Sequence, residues 1–305
     1  RQSIAKAGGL PSLLALVDSR TVATQRASVN ALAMLAMNNR ENQDTIVSMG
    51  GITPLVALCE PTVPTEVQAE AVLALAEVCK HHSVNQTAVA DAGAVPLLVT
   101  LMRSTKAPDV ERELGGVFWA LSEDHEDNKV TIAAQSAIPL LTHMLNSNTK
   151  RAPTLAANAL SSLALGNQAN QAEIASLLVQ MVLTYKNEMT QERATEALWR
   201  MVRENPGEEL GIARAGGAEP LVRLLREAKQ SRAQAYALLS LSLAIDEGNQ
   251  SVVADAGGIA PLVKLLTPRD PTSCEQAACA IQRLAHDNND TQLAICKQGA
   301  INRLI

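Results

Sequence analysis

The chain has 305 residues, 47% of them hydrophobic and 19% charged, with a formal net charge of −5. That mildly acidic balance argues against a nucleic-acid partner, which wants a basic face. Aromatic residues make up only 2%, so the core must be Leu, Val, Ile and Ala, a composition that leans all-α.

Five cysteines stand at 59, 79, 274, 279 and 296. Their number is odd and no two have the spacing of a redox or metal motif, so they read as reduced thiols in a reducing compartment, cytoplasmic or nuclear. No signal segment is visible and no apolar run approaches the ~18 residues of a membrane span.

Taken from the N-terminus, the first pattern is Ile4-Ala-Lys-Ala-Gly-Gly-Leu-Pro11: an apolar helix end, a glycine break, and a proline in the first turn of the next helix. It returns as Ile46-Val-Ser-Met-Gly-Gly-Ile-Thr-Pro54, Val89-Ala-Asp-Ala-Gly-Ala-Val-Pro96 and Ile132-Ala-Ala-Gln-Ser-Ala-Ile-Pro139. After a gap it resumes at Ile212, at Val253-Ala-Asp-Ala-Gly-Gly-Ile-Ala-Pro261 and, truncated, at Ile295. Including a degenerate copy at Ile174, the anchors 4, 46, 89, 132, 174, 212, 253 and 295 are 42, 43, 43, 42, 38, 41 and 42 residues apart. Each unit divides alike. After the proline comes an apolar helix such as Leu13-Leu-Ala-Leu-Val17, then a polar loop such as Ser104-Thr-Lys-Ala-Pro108. A longer amphipathic helix follows with alanine and leucine in i, i+3, i+4 steps, as in Ala69–Ala76. An Asn-rich stretch leads into the next unit. One such unit cannot bury its own apolar face, whereas stacked neighbours bury it jointly.

Three helices in about 42 residues, with a Gly-Gly-Ile-x-Pro-Leu-Val-x-Leu-Leu core, resemble the armadillo repeat. The resemblance covers residues 1–305 as seven units and the start of an eighth. It implies an all-α fold, a right-handed superhelix of stacked repeats in one solenoid. The chain begins and stops mid-unit without polar caps, which reads as a segment of a longer protein or as open ends paired with something else. In the fifth unit, around Ile174–Leu183, the glycines and the proline are missing and the unit is about four residues short. There the first two helices are expected to fuse, either as drift in the array or as a functional bend.

In armadillo proteins the third helices line a groove that binds extended partner segments, and similarity to the import-receptor and β-catenin branches would imply a ladder of asparagines following Trp-Ala-Leu-x. Aligned on Ala-Leu, the ladder positions here hold Met34, Glu77, Glu123, Ser162, Arg200, Ser240 and Arg283. The preceding tryptophan site holds Asn30, Leu73, Trp119, Asn158, Glu196, Tyr236 and Cys279. Without the ladder, backbone clamping of the import-receptor kind loses its basis. What remains is Trp119 and charge: Glu66, Glu70, Glu77 and Glu123 make the second and third units acidic, while Arg112, Arg151, Arg193, Arg200 and Arg283 make the later ones basic. These residues, with Tyr236, are the candidate partner-binding groove, or else a solvated helix face. Trp119 reads as a groove hot spot or a core filler, and Trp199 as core or inter-repeat packing. Gly115 and Gly116, inside a third helix, cost ~1 kcal/mol each against alanine and point to close approach by a partner or a neighbouring helix.

No phosphate-binding loop or nucleophile elbow occurs, and His81-His82 after Cys79 lack the ligand spacing of a zinc site. No cofactor, metal or catalytic role is therefore expected. The resemblance implies a protein-binding scaffold or adaptor whose partner offers an extended charged segment. A regulatory domain within a larger signalling protein is the alternative, and a nuclear-import adaptor is a third reading.

Overall fold

The computed structural model describes residues 8–204, 216–227, 234, 237–238, 250–267 and 270–304. Among the described residues all regular structure is α-helical, and the chain divides into two compact units, Arg1–Leu163 and Ala164–Ile305.

In the first unit, α1 (Gly9–Leu16) and α2 (Val22–Ala36) are the second and third helices of a repeat. Complete repeats follow as α3 (Arg40–Ser48), α4 (Ile52–Ala57) and α5 (Thr65–Cys79), then α6 (Ser83–Asp91), α7 (Ala94–Ser104) and α8 (Pro108–Ser122). Next come α9 (Glu126–Ala134), α10 (Ala137–Met144) and α11 (Ala152–Ala164). The third helices α2, α5 and α8 pack side by side. Their alanines allow this: Ala33, Ala71, Ala74 and Ala120 are buried beside Leu32, Val72, Leu75, Phe118 and Leu121.

Two joints recur in the repeats of the first unit. Between first and second helices the chain turns through a left-handed residue, Gly50 at φ 74° and Gly93 at φ 79°, a conformation that glycine takes without steric cost. Ser136 takes the same role at φ 59°. The second glycine has a different reason. Gly51 donates from its N–H to the carbonyl of Ile46 at 2.9 Å, closing the last turn so tightly that a Cβ would lie 2.8 Å from that carbonyl and 2.9 Å from Leu14. Where alanine stands instead, at Ala300, the equivalent bond to Ile295 lengthens to 3.4 Å.

The other joint, from each third helix to the next first helix, is polar. Asn38, His81 and Asp124 turn the chain at φ 52°, 55° and 51°. Asn39 then caps α3 by accepting from the N–H of Asn42, and His125 caps α9 through Nδ1, accepting from Asn128. Three residues on, a buried amide returns to a carbonyl that the previous helix leaves unpaired. Asn42 donates to Leu35 at 2.8 Å, Asn85 to Val78 at 3.0 Å and Asn128 to Leu121 at 2.9 Å. The adjacent glutamine reaches forward: Gln43 donates to the carbonyl of Glu77 at 2.7 Å, and Gln86 to those of Ala120 and Glu123 at 2.7 and 2.8 Å. Each Asn-Gln pair thus ties its repeat back to the preceding third helix, through the asparagine, and fastens its own third helix, through the glutamine. Lys129 occupies the glutamine's place in the next repeat, buried and bonded to Glu126.

In the second unit, α12 (Gln168–Thr184) is a single helix where the other repeats have two. With neither glycine nor proline, nothing interrupts its backbone hydrogen bonding. It is followed by α13 (Glu188–Glu204), α14 (Ala218–Glu227), α15 (Gln250–Asp255), α16 (Ile259–Leu265), α17 (Pro271–Ala285), α18 (Asn289–Lys297) and α19 (Ile301–Leu304). The polar joint persists here. Gln250 donates to the carbonyls of Arg283 and His286 at 2.8 and 2.7 Å, and Thr291, standing where earlier repeats have asparagine, gives its hydroxyl to Leu284.

All five cysteines are free thiols. Cys59 and Cys79 are buried, and burial pushes the Cys59 thiol up to about 12 and the Cys79 thiol higher still, while Cys279 and Cys296 are exposed.

A candidate partner-binding recess on the third helices

The polar joint supplies a register that does not depend on matching Ala-Leu. Counted back from the caps Asn39, His82, His125 and Asn167, the position of Asn30, Leu73 and Asn158 falls on Gly116, not on Trp119. Trp119 lies one turn further, level with Ala33, Ala76 and Ser161. The ladder position in the third unit is accordingly Ala120, and Glu123 is level with Met37 and Lys80. The Ala-Leu alignment slips by three residues there, because Ala120-Leu121 in α8 matches the spacing of Ala74-Leu75 in α5 one turn out of step.

The first unit carries a recess of about 470 Å³ on its third-helix face. Met34 and Met37, Leu73 and Ala76, Gly116 and Trp119, and Leu155 give it apolar walls from four successive repeats. Glu77, Lys80, Arg112, Glu113, Glu123, Lys150 and Arg151 ring it with charge. Trp119 is half-buried, and the Lys80 ammonium lies 5.5 Å from its ring centroid, within cation–π range. The two glycines have separate functions. A Cβ on Gly115 would sit 3.0 Å from the backbone nitrogen of Ala156, so this glycine lets α11 approach α8. Gly116 has nothing nearer than the Leu155 Cδ1 at 3.9 Å, and its missing side chain leaves the recess open beside Trp119.

The acidic residues are largely engaged within the fold. Glu70 accepts from Asn30 at 2.6 Å and pairs with Arg26 at 3.4 Å, tying α5 to α2, and it does not line the recess. Glu66 is exposed at the first turn of α5. Glu123 meets His81 Nδ1 at 2.6 Å. Glu113 holds Arg112 at 2.7 Å with Asp109 at 2.9 Å, and this pairing, Glu113 foremost, raises the pKa of the guanidinium. The expected acidic stretch is therefore a mixed surface at the second and third units. Arg151 is exposed and adopts φ 70°.

Arg193 and Arg200 lie half-buried on α13, Arg200 paired with Glu196 at 2.7 Å, and Arg283 is exposed on α17. All three belong to the second unit, and Tyr236 lies outside the described residues. Trp199, expected in the core or in inter-repeat packing, is half-exposed with the Arg203 guanidinium 4.4 Å from its ring centroid. The Ala-Leu reading named Met34 only as a ladder position without asparagine and passed over Lys80, Lys150 and Met37, since a lysine or methionine at a helix end or in a loop carries no mark of its own. The Asn-Gln pairs did leave one: Asn42-Gln43, Asn85-Gln86 and Asn170-Gln171 recur at the repeat spacing. Among the described residues no three His, Cys, Asp or Glu side chains gather as a metal site, and no helix is long and apolar enough to cross a membrane.

Two stretches, residues 39–80 and 246–286, match the Armadillo/beta-catenin-like repeat model. The first runs from the cap of α3 to the end of α5, one repeat as the joints divide it. Those two stretches are armadillo-like repeats. Comparison with curated protein sequences gives no significant match. Among solved structures, an engineered protein from a structural genomics consortium is 29% identical at a TM-score of 0.71, over 97% of this chain and 72% of that one. A designed armadillo repeat protein aligns at a TM-score of 0.56 and 18% identity, over 90% of this chain and 99% of its own. Another, solved in complex with the peptide (KR)4, aligns at 0.58 and 18% over the same shares. At that identity the likeness speaks for the all-α armadillo fold.

Proposed function

We propose that this armadillo-repeat chain is a protein-interaction scaffold and that the third-helix face of its first unit takes an extended segment of a partner protein. The observation that carries the reading is the recess itself. Trp119, in a chain with two tryptophans, stands half-exposed above apolar walls drawn from four repeats. A large flat side chain in a partly enclosed apolar recess with a charged rim is the usual anatomy of a binding hot spot. A designed armadillo repeat protein is solved in complex with a charged peptide, (KR)4, which supports peptide binding as a use of the fold though not the sequence bound. In this reading Trp119, Glu77, Glu123, Arg112 and Arg151 form the centre. Glu66 and Glu70 add charge near that face that steers a partner, and Arg193, Arg200 and Arg283 add charge on the second unit. The free thiols fit a reducing cytoplasmic or nuclear setting.

The test is selection from a displayed library of random extended peptides, followed by affinity measurement on Trp119→Ala. Selected peptides should lose about tenfold or more, as hot-spot truncation does, while helicity by circular dichroism stays unchanged. Selected peptides that bind the variant as tightly as the parent would remove the reading.

A further inference from the structure

We infer that the Trp119 recess takes a large apolar side chain, leucine, methionine or phenylalanine, from an uncharged stretch of the partner, and that it turns away a lysine or arginine; this rests on the reading of the recess as a partner site. The first observation is an exchange of sizes within α8. Trp119 stands in the row of Ala33, Ala76 and Ser161, which are small and buried, so the packing of the third helices asks for no large ring there. Gly116 stands in the row of Asn30, Leu73 and Asn158, where the other repeats present a side chain. The ring does not fold back into the space that Gly116 leaves: a Cβ there would have the Leu155 Cδ1 at 3.9 Å and no atom of Trp119 within 4 Å. The result is an open slot between Trp119 and Leu155, continuous with the apolar walls of Leu73, Met34 and Met37.

The second observation is that the rim favours neither sign of charge. Lys80, Arg112, Lys150 and Arg151 line the recess. Against them stand Glu77, Glu113 and Glu123, with Asp109 joined to Arg112. Four formal positive charges thus meet four negative ones, and His81 beside Glu123 adds a further charge only when protonated. A charged partner residue entering the slot gives up water for apolar walls and finds no surplus of the opposite sign to offset that loss. An apolar side chain has no such loss, and its burial is favourable. Lys80 sharpens the choice. Its ammonium lies over the Trp119 ring, 5.5 Å from the centroid, so a partner lysine or arginine approaching the ring meets a cation already seated on it.

The experiment measures polarisation of labelled peptides in which serine alternates with leucine, lysine or glutamate, titrated with the full chain, Gly116→Leu and Lys80→Gln. Ser-Leu should bind about tenfold or more tighter than Ser-Lys or Ser-Glu, with an affinity that hardly changes as salt rises. Gly116→Leu sets on α8 the residue that Leu73 presents on α5. It should weaken Ser-Leu about tenfold while the melting temperature equals or exceeds the parent's, since leucine favours helix over glycine. Lys80→Gln should improve Ser-Lys about threefold or more. Ser-Lys or Ser-Glu binding as tightly as Ser-Leu overturns the apolar preference and leaves the recess as a peptide site. A Ser-Leu affinity indifferent to Gly116→Leu overturns the slot, and Ser-Lys unimproved by Lys80→Gln overturns the exclusion of cations. Sedimentation of the parent as a dimer that Gly116→Leu dissociates makes a second copy the occupant and overturns the proposal. Saturation by none of the three peptides overturns the preference together with the reading on which it rests.

Discussion

Gly93 and Leu178 occupy the same place in their repeats, each eleven residues beyond its helix cap, His82 and Asn167. At the first the chain turns left-handed at φ 79° and α6 gives way to α7. At the second it continues as α12, with Leu178 fully buried. The preceding polar joint is kept in both: Asn167 caps α12 as Asn39 caps α3, and Asn170 and Gln171 are buried like Asn85 and Gln86. The comparison separates two jobs that the repeat normally performs together. The polar joint fastens one repeat to the next, and the glycine joint shapes the repeat internally. An armadillo unit can lose the second without losing the first.

The largest effect should come from forcing the glycine joint onto α12. Leu178→Gly removes a buried leucine, worth ~2–5 kcal/mol, and sets glycine within a helix at ~1 kcal/mol more. Denaturant unfolding followed by tryptophan emission in a Trp119→Phe background, where Trp199 of the second unit is the remaining tryptophan, should show that loss. A loss under about 1 kcal/mol would mean α12 yields at Leu178 as readily as the other repeats break, and the contrast would fail.

Removing the polar joint comes next. Asn85→Ala leaves the buried Val78 carbonyl unsatisfied, a cost of ~1–3 kcal/mol. The neighbouring Cys79 thiol is a local reporter. Burial keeps it protonated and unreactive, so thiol labelling at pH 8 should be slow in the parent and faster in Asn85→Ala. Exposed Cys279 and Cys296 should label promptly in both. The same burial gives a pH signature. Because the folded Cys59 thiol titrates near 12, well above an unfolded cysteine at ~8.5, the folded state holds its proton longer. Stability from this group is complete below pH ~8.5 and declines as pH rises toward the folded value. Cys59→Ser should flatten that alkaline decline.

The joints were unequally legible in the sequence. The glycine joint announces itself because glycine and proline are rare punctuation, and the merging of helices around Leu178 follows from their absence. The polar joint is written in asparagine and glutamine, residues as common on solvated turns, so Asn42-Gln43 read only as an Asn-rich loop. Its substitutes show why pattern alone falls short, since Thr291 and His125 do the same work with different atoms. The recess was legible at Trp119 and invisible in its charge balance. Which glutamates remain available depends on pairings across repeats, such as Glu70 with Asn30 and Glu123 with His81, and no single helix encodes those.

A smaller effect should follow from the converse change at the glycine joint. Gly93→Leu has open space around its Cβ, so only the left-handed backbone opposes it, at ~1–2 kcal/mol. Ser136 already bears that cost at φ 59°, and the variant should therefore still fold, with α6 and α7 still separate.

The smallest effect divides the two glycines within α8, which share a sequence context and differ in surroundings. Gly116→Ala meets nothing closer than 3.9 Å and gains alanine's helix propensity, up to ~1 kcal/mol. Gly115→Ala gains the same propensity but sets a methyl 3.0 Å from the Ala156 nitrogen and 3.1 Å from the Leu155 carbonyl carbon. These are backbone atoms, and α11 must shift to receive it. Thermal melts should therefore rise for Gly116→Ala and stay level or fall for Gly115→Ala. Peptide affinity should move the other way for Gly116→Ala, because the added methyl projects into the recess beside Trp119. Stability gained together with binding lost would identify Gly116 as a glycine kept for the site, whereas Gly115 is kept for the stacking of the repeats.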